Sequence, residues 1–176
     1  MSKIRIKGDT SGYVDLETSA TGSNLSVTGN AVHVPGHVIQ TVYDDFTTPV
    51  LTTSTSFVDT GVQATITPKF SSSKILIHVS QALSMVGPNS NQYQANLVIT
   101  DSSNNVLFGT DSWDQFRIKD QIAFSWQASL QYRHSPNTTN AFTYKIRMKS
   151  QYGTGNNVNA QYSNAPSSII LMEIAV

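Results

Sequence analysis

The chain has 176 residues, with 11 lysines and arginines against 11 aspartates and glutamates, so no overall field draws it toward nucleic acid or an anionic membrane. Charged residues are only 12% of the sequence, about half the usual share, and solubility falls to hydroxyls and amides. The absence of cysteine excludes disulfides, thiolate metal sites and cysteine nucleophiles.

This length suits one main domain with an appendage. The opening "MSKIRIKGDTSG" lacks the apolar run of a secretory signal, and no stretch of about 18 apolar residues offers a membrane span. The expectation is a soluble product made in a cytoplasm. Residues 1 to 7 alternate basic and aliphatic, residues 13 to 17 alternate acidic and aliphatic, and "GDTSG" separates them, which predicts a hairpin. A register whose positions sum to twenty sets Arg5 against Asp15 and Lys3 against Glu17, with Ile4 meeting Leu16 and Ile6 meeting Val14. Exposed cross-strand ion pairs contribute about 0.2 to 1 kcal/mol each, so the basic residues read as pairing partners before they read as a ligand patch. A lone hairpin is marginal, so Ile4, Ile6, Val14 and Leu16 are expected to anchor it against another surface.

From residue 18 to residue 36 the chain is rich in Thr, Ser, Gly and Asn, with apolar pieces "NLSV" and "AVHV". It reads as an extended arm, making residues 1–36 an anchoring hairpin and arm and residues 37–176 a second domain. The stretch "AVHVPGHVIQ" sits on that boundary. His33 and His37 would share a face only in a helix, which Pro35 and Gly36 preclude, so a joint is the first reading. A threefold axis would multiply one histidine into a ring, which keeps His33 and His37 as weak metal candidates.

Strands are expected over 38 to 43, 56 to 66, 74 to 82, 92 to 100 and 105 to 108, separated by "TPKFSSSK", "GPNSN" and "DSSNN". The next segment, "GTDSWDQFRIKDQ", reads as a loop in which Trp113 and Phe116 lie among Asp111, Asp114 and Asp120. Aromatic faces beside carboxylates suit a sugar ring, and two such aspartates are also what a glycosidase would need, although loop aspartates more often cap turns. Residues 122 to 133 then alternate strictly: Ile122, Phe124, Trp126, Ala128, Leu130 and Tyr132 against Ser125, Gln127, Ser129, Gln131 and Arg133. Phe142, Tyr144, Ile146 and Met148 likewise alternate with Thr143, Lys145, Arg147 and Lys149, a polar face expected to be solvated. The stretch "QYGTGNNVNAQYSNAPSS" reads as a long loop carrying Tyr152 and Tyr162, two further ligand candidates.

The last segment, "SSIILMEIAV", is apolar on both faces: Ile170, Met172, Ile174 and Val176 on one, Ile169, Leu171 and Ala175 on the other. It is either an ordinary inner strand or one whose second face a neighbouring subunit covers, and Glu173 needs a partner or an opening to water. No segment has a helical period. The whole predicts an all-β protein, an antiparallel β-sandwich or jelly roll with an N-terminal hairpin arm. No nucleophile elbow, phosphate-binding glycine loop or metalloprotease motif occurs, and no cofactor is expected.

The stretch "TTSTSFVDTGVQATITPKFSSSKILIHVS" resembles the start of a domain of bacteriophage tail-fibre and virion-surface proteins, in which "TSTSFVDTG", "ATITP" and "SSKIL" strands follow in this order. "KGDTSGYVDLETSATGSNLSVTG" resembles the β-rich segments preceding such knobs, especially in phages of aquatic bacteria. The resemblance implies a homotrimeric knob similar to the tumour-necrosis-factor-like jelly roll. Its last strand, with Ile170, Met172, Ile174 and Val176, would lie near the threefold axis. The arm of about 36 residues is short beside the shaft of a complete tail fibre, which favours a capsid decoration or short fibre. The expected protein is therefore a non-enzymatic component of the virion surface, made in the host cytoplasm, with other virion proteins as partners. Two alternatives stand beside it. One is a receptor module binding host glycan through Trp113, Phe116, Tyr152 and Tyr162; the other is a polysaccharide hydrolase using Asp111 or Asp114.

Overall fold

Runs of β-branched and aromatic residues in strict alternation, broken by Gly, Pro, Asn and Ser, leave the backbone no regular option but strands. A computed structural model describes residues 3–7, 13–17, 35–87, 92–109, 116–119, 123–152 and 155–176. The chain divides into two compact units, Met1–His33 and Val34–Val176. In the first, β1 (Lys3–Lys7) pairs antiparallel with β2 (Tyr13–Glu17), setting Lys3 opposite Glu17, Ile4 opposite Leu16, Arg5 opposite Asp15 and Ile6 opposite Val14. That is the register whose positions sum to twenty.

The second unit is the expected antiparallel sandwich. Its strands are β3 (Val38–Phe46), β4 (Val50–Thr52), β5 (Val58–Ile66), β6 (Lys74–Val86), β7 (Gln92–Thr100), β8 (Val106–Phe108), β9 (Phe116–Lys119), β10 (Ala123–His134), β11 (Phe142–Ser150), β12 (Asn157–Ala160) and β13 (Ser167–Ile174). One sheet is built on β6, with β10 along one side and β13 and β12 end to end along the other; β3 then flanks β13 and β4 flanks β12. The second sheet runs β5, β11, β7, with β8 and β9 both on the far side of β7. Ile75, Ile77, Val79, Ile169 and Leu171 from the first sheet meet Val62, Ile66, Leu97, Ile99, Tyr144 and Ile146 from the second, all buried. Each such aliphatic side chain contributes roughly 1.5 to 3 kcal/mol against exposure.

β6 is 13 residues long; β10 follows it from Ile75 to Val86, but on its other side no single strand does. β13 pairs with Lys74 to Ser80 and β12 with Leu83 to Val86, which leaves a gap opposite Gln81 and Ala82. Side chains and a turn close it. Ser167 Oγ accepts from the Ala82 amide at 2.9 Å, and the Gln161 amide donates to Ala82 O at 3.0 Å. With the Gln161 side-chain amide oriented to satisfy its surroundings, its oxygen accepts from Gln81 Nε2 at 2.7 Å and from Ser167 Oγ at 3.0 Å. Its nitrogen donates to Thr60 O and Thr48 O at 3.1 and 3.2 Å, so the knot reaches across to β5 in the other sheet. Gln81, Gln161, Ser167 and Thr60 are all buried.

Several expectations are corrected here. β3 continues to Phe46 and β6 to Val86, beyond the strand ends read at residues 43 and 82. β9 and β12 fall inside segments read as loops, and the second of these also holds a 3-10 turn, Tyr162–Asn164. β4, β9 and β12 have only three or four residues, too few for alternation to stand out, and they owe their conformation to longer neighbours. The polar face of β11 is also not simply solvated. Lys145 Nζ and Arg147 Nε lie 2.6 and 2.7 Å from the two oxygens of Asp59, and Lys149 is buried with its ammonium 5.2 Å from the centre of the Phe57 ring. The β11–β5 register slips between Lys145 and Arg147, opposite Gly61. Gly61 has φ +90, and a Cβ there would come within 2.2 Å of the Phe46 ring.

Ser167→Ala removes the acceptor for the Ala82 amide and strands part of the amide cluster. Chemical denaturation should show a loss of about 1 to 3 kcal/mol, whereas Ser168→Ala on the same strand should change stability by less than about 0.5 kcal/mol.

Candidate interaction face

Alternation on β13 assigns its residues to two surfaces. Ile169, Leu171 and Ala175 are buried in the core, while Ile170, Met172 and Ile174 are half-buried on the outer side and Val176 is 66% exposed. Register extends that outer side across the sheet: Tyr43 lies opposite Ile170, Val38 opposite Ile174, and on β6 His78 and Leu76 lie opposite Ile170 and Met172. Tyr43 and Val38 are 59% and 53% exposed. An aliphatic and aromatic stripe of Val38, Tyr43, Leu76, Ile170, Met172 and Ile174 thus faces away from the core of this chain.

Charge lies at its margins. Asp45 is exposed on β3 and accepts a hydrogen bond from the Tyr43 hydroxyl. Lys74 on β6 and the exposed Arg133 on β10, opposite Leu76, lie to the other side of the stripe. Neither base has a carboxylate partner among the described residues. His78 Nε2 lies 3.4 Å from Ser129 Oγ.

Glu173 is the polar member of the inner face and is fully buried. Its carboxylate accepts from Gln40 Nε2 at 2.5 Å and from the amides of Lys69 and Phe70 at 2.8 and 3.2 Å. Burial pushes this carboxyl up, but the hydrogen bonds from Gln40 and the two amides outweigh it and hold the group below its ordinary range. The required partner is therefore within the chain, and it ties β13 to β3 and to the turn before β6.

A second apolar region lines the flank of the sandwich between β10 and the far edge of the second sheet. Phe108 stacks on Tyr132 with centroids 5.1 Å apart, and Phe116 and Phe124 lie 5.3 and 5.4 Å from Trp126. β10 alternates as its sequence predicts, with Ala128 and Leu130 buried, but among the described residues it pairs only with β6, and Phe124 on its inner side is 47% exposed. At the end of the strand His134 Nδ1 lies 2.9 Å from the hydroxyl of the buried Tyr144. Burial pushes the imidazole down, partly offset by Asp101, and raises the Tyr144 phenol well above its ordinary value. The pair is held neutral.

The candidate residues read from the sequence are spread over several places. Phe116 packs on Trp126. Tyr152 and Tyr162 are half-exposed, the first beyond the end of β11 and the second in the 3-10 turn beside β6. Tyr162 and Ala165, with Ala82, Ser125 and Gln127, line a shallow cavity of about 260 Å³. Trp113, Asp111, Asp114, Asp120 and His33 lie outside the described residues, and nothing of the side chains of Ile4, Ile6, Val14 and Leu16 is described. His37 is exposed beside the turn at Pro35 and Gly36, where Gly36 has φ +88 and donates its amide to Ala175 O at 2.9 Å. Among the described residues no group of three or more His, Asp or Glu side chains could hold a metal ion, and no helix is long and apolar enough to cross a membrane. The half-exposed Tyr43 and Leu76 were not singled out in the sequence; cross-strand register alone places them with β13.

No protein-family model and no curated protein matches the chain. Among solved structures it is similar to a chain in the structure of the infectious bursal disease virus Gt strain, at 10% identity and a TM-score of 0.35 over 96% of this chain and 46% of that one. It is likewise similar to a chain in the crystal structure of an infectious bursal disease virus VP2 subviral particle, at 9% identity and a TM-score of 0.38 over 97% and 46%. The chain spans less than half the length of either. Likeness of this degree carries no argument about function.

Acid should weaken the fold in two windows. His134 has a folded pKa below its ordinary value near 6.5, so its contribution is complete above that pH and is lost as pH falls through the folded value. Glu173 behaves alike from about 4.5 downward. Urea midpoints measured from pH 7 to pH 3 should fall in both ranges, with His134→Gln flattening the first and Glu173→Gln the second. Glu173→Gln should also cost about 1 to 3 kcal/mol at pH 7, because one amide group then faces donors.

Proposed function

We propose that this chain is a non-enzymatic structural protein of a virion: a homotrimeric surface knob, either a capsid decoration or a short fibre, attached through its N-terminal hairpin. The observation that carries the reading is the outer side of β13. Ile170, Met172, Ile174 and Val176 are left partly or largely exposed by this chain, and cross-strand register sets them next to Tyr43 and Val38 in one stripe. Contiguous apolar surface of this kind marks an interaction site, and closed point-group symmetry is the usual way for identical copies to cover it. The sequence resemblance to bacteriophage tail-fibre and virion-surface knobs supports three copies and a virion setting.

The paired Ile4–Leu16 and Ile6–Val14 positions of the hairpin are the proposed anchor. Four aliphatic side chains would contribute roughly 1.5 to 3 kcal/mol each if fully buried in a partner, before ordering costs. Three copies on a symmetric socket would add avidity. The partners are other virion proteins, of capsid or tail, with no nucleic acid and no membrane insertion.

A second reading, recognition of a host glycan, is favoured by the cavity beside Tyr162, where the Tyr162 and Trp126 rings, the Ser125 hydroxyl and the Gln127 amide share the lining with Ala82, Leu83 and Ala165. Tyr162→Ala would then abolish adsorption to host envelope polysaccharide without changing the unfolding midpoint.

Sedimentation equilibrium on the full chain should give about three times the 19.2 kDa of one copy. Ile4→Asp combined with Leu16→Asp should leave that mass unchanged and remove the protein from purified particles. A monomer in solution, or a doubly substituted chain that still joins particles, would refute the trimer or the anchor respectively.

A further inference from the structure

The stripe beside β13 is bordered by opposite charges on opposite sides, and their separation says how copies meet. Along the sheet Asp45 lies opposite Ser168, Ser168 opposite Ser80, and Ser80 opposite Ser129 on β10. Arg133 stands four residues further along that strand. Three strand spacings of about 4.8 Å and four residues of about 3.3 Å place Asp45 and Arg133 nearly 20 Å apart, too far to pair within one chain. Lys74 is further still along β6, opposite Ile174. Among the described residues Lys74 and Arg133 therefore have no carboxylate on their own face, and Asp45 has only the Tyr43 hydroxyl.

We infer that neighbouring copies meet with the β3 side of one against the β10 side of the next, Asp45 of one copy pairing with Arg133 and Lys74 of the other around the apolar stripe. The inference rests on the homotrimer reading and adds its direction. In a cyclic assembly every copy presents one side of the face to the preceding neighbour and the other side to the following one. Opposite charges at the two sides then meet at each junction, whereas juxtaposed like sides would bring Arg133 against Arg133. The Tyr43 hydroxyl holds the Asp45 carboxylate on that face, so less side-chain freedom is lost when the pair forms. Charges of this kind at the rim of an apolar centre set register and partner orientation more than total affinity, and salt weakens them.

The test is a charge reversal on the full chain, read as the concentration midpoint of the trimer-to-monomer transition in analytical ultracentrifugation at 50 and 500 mM NaCl. Asp45→Arg and Arg133→Glu alone should each raise the midpoint at least about tenfold at low salt, and the double variant should return it to within about threefold of the unmodified protein. Asp44→Arg, at an exposed position opposite Ile169 and on the other face, serves as control and should leave the midpoint unchanged. Circular dichroism confirms that each variant is folded. If the unmodified chain is a trimer but the single reversals have no effect, or the double variant is as weak as the worse single one, the pairing is wrong and the trimer reading survives. If the unmodified chain is a monomer or a dimer, both fall.

Discussion

The sandwich depends on a mismatch of length in its first sheet. β6 is one long strand, while the strands on one side of it are short and lie end to end. A sheet with a gap in its ladder would bury an amide and a carbonyl without partners, at a cost comparable to several ordinary hydrogen bonds. Ser167 Oγ and the Gln161 amide take the places of the missing strand at Ala82, and the Gln161 side chain, which accepts from Gln81, joins the patch to the second sheet through Thr60 O and to the β3–β4 turn through Thr48 O. Because Ser167 is also the first residue of β13, the same cluster fixes where the last strand begins.

From that starting point alternation does the rest. Once Ser167 points inward, Ile169, Leu171, Glu173 and Ala175 must follow, and Ile170, Met172 and Ile174 must face out. Glu173 guards the far end of the strand in the same sense. A slip of one residue would carry its carboxylate away from Gln40 and the Lys69 and Phe70 amides and bring aliphatic side chains to donors they cannot use. Two polar anchors, one at each end, thus hold in register a strand whose hydrophobicity alone does not distinguish its faces.

The outer side of that strand is where the fold stops and the proposed assembly begins. The first sheet has covered its inner face with the second and is left with an apolar stripe outside, while the outer side of β11 is closed by Lys145 and Arg147 on Asp59 and by Lys149 over Phe57. One sheet is thus finished with salt bridges drawn over its own strands, and the other keeps its apolar positions open with charge only at the margins. In the proposed assembly that asymmetry makes the first sheet the contact between copies, apart from the aromatic flank at Trp126, which Phe108, Phe116 and Tyr132 already fill in part.

Much of this was legible from the chain alone. Strict alternation in "IAFSWQASLQYR" and "FTYKIRMK" determined strands and their inner residues, and complementary charge determined the β1–β2 register, because side-chain periods of two and ion pairing are local properties. The double-sided character of "SSIILMEIAV" was visible too. What the sequence left open was which of its faces is the core, what receives Glu173, and that Tyr43, Val38 and Leu76 join it. Those answers come from strands far apart in the chain and are fixed only when β3, β6 and β13 come side by side. Short elements such as β4, β9 and β12 stayed hidden for the same reason, since three or four residues become a strand only when a longer neighbour supplies the ladder. Local pattern determined the strands; long-range register decided which surfaces they leave to the outside.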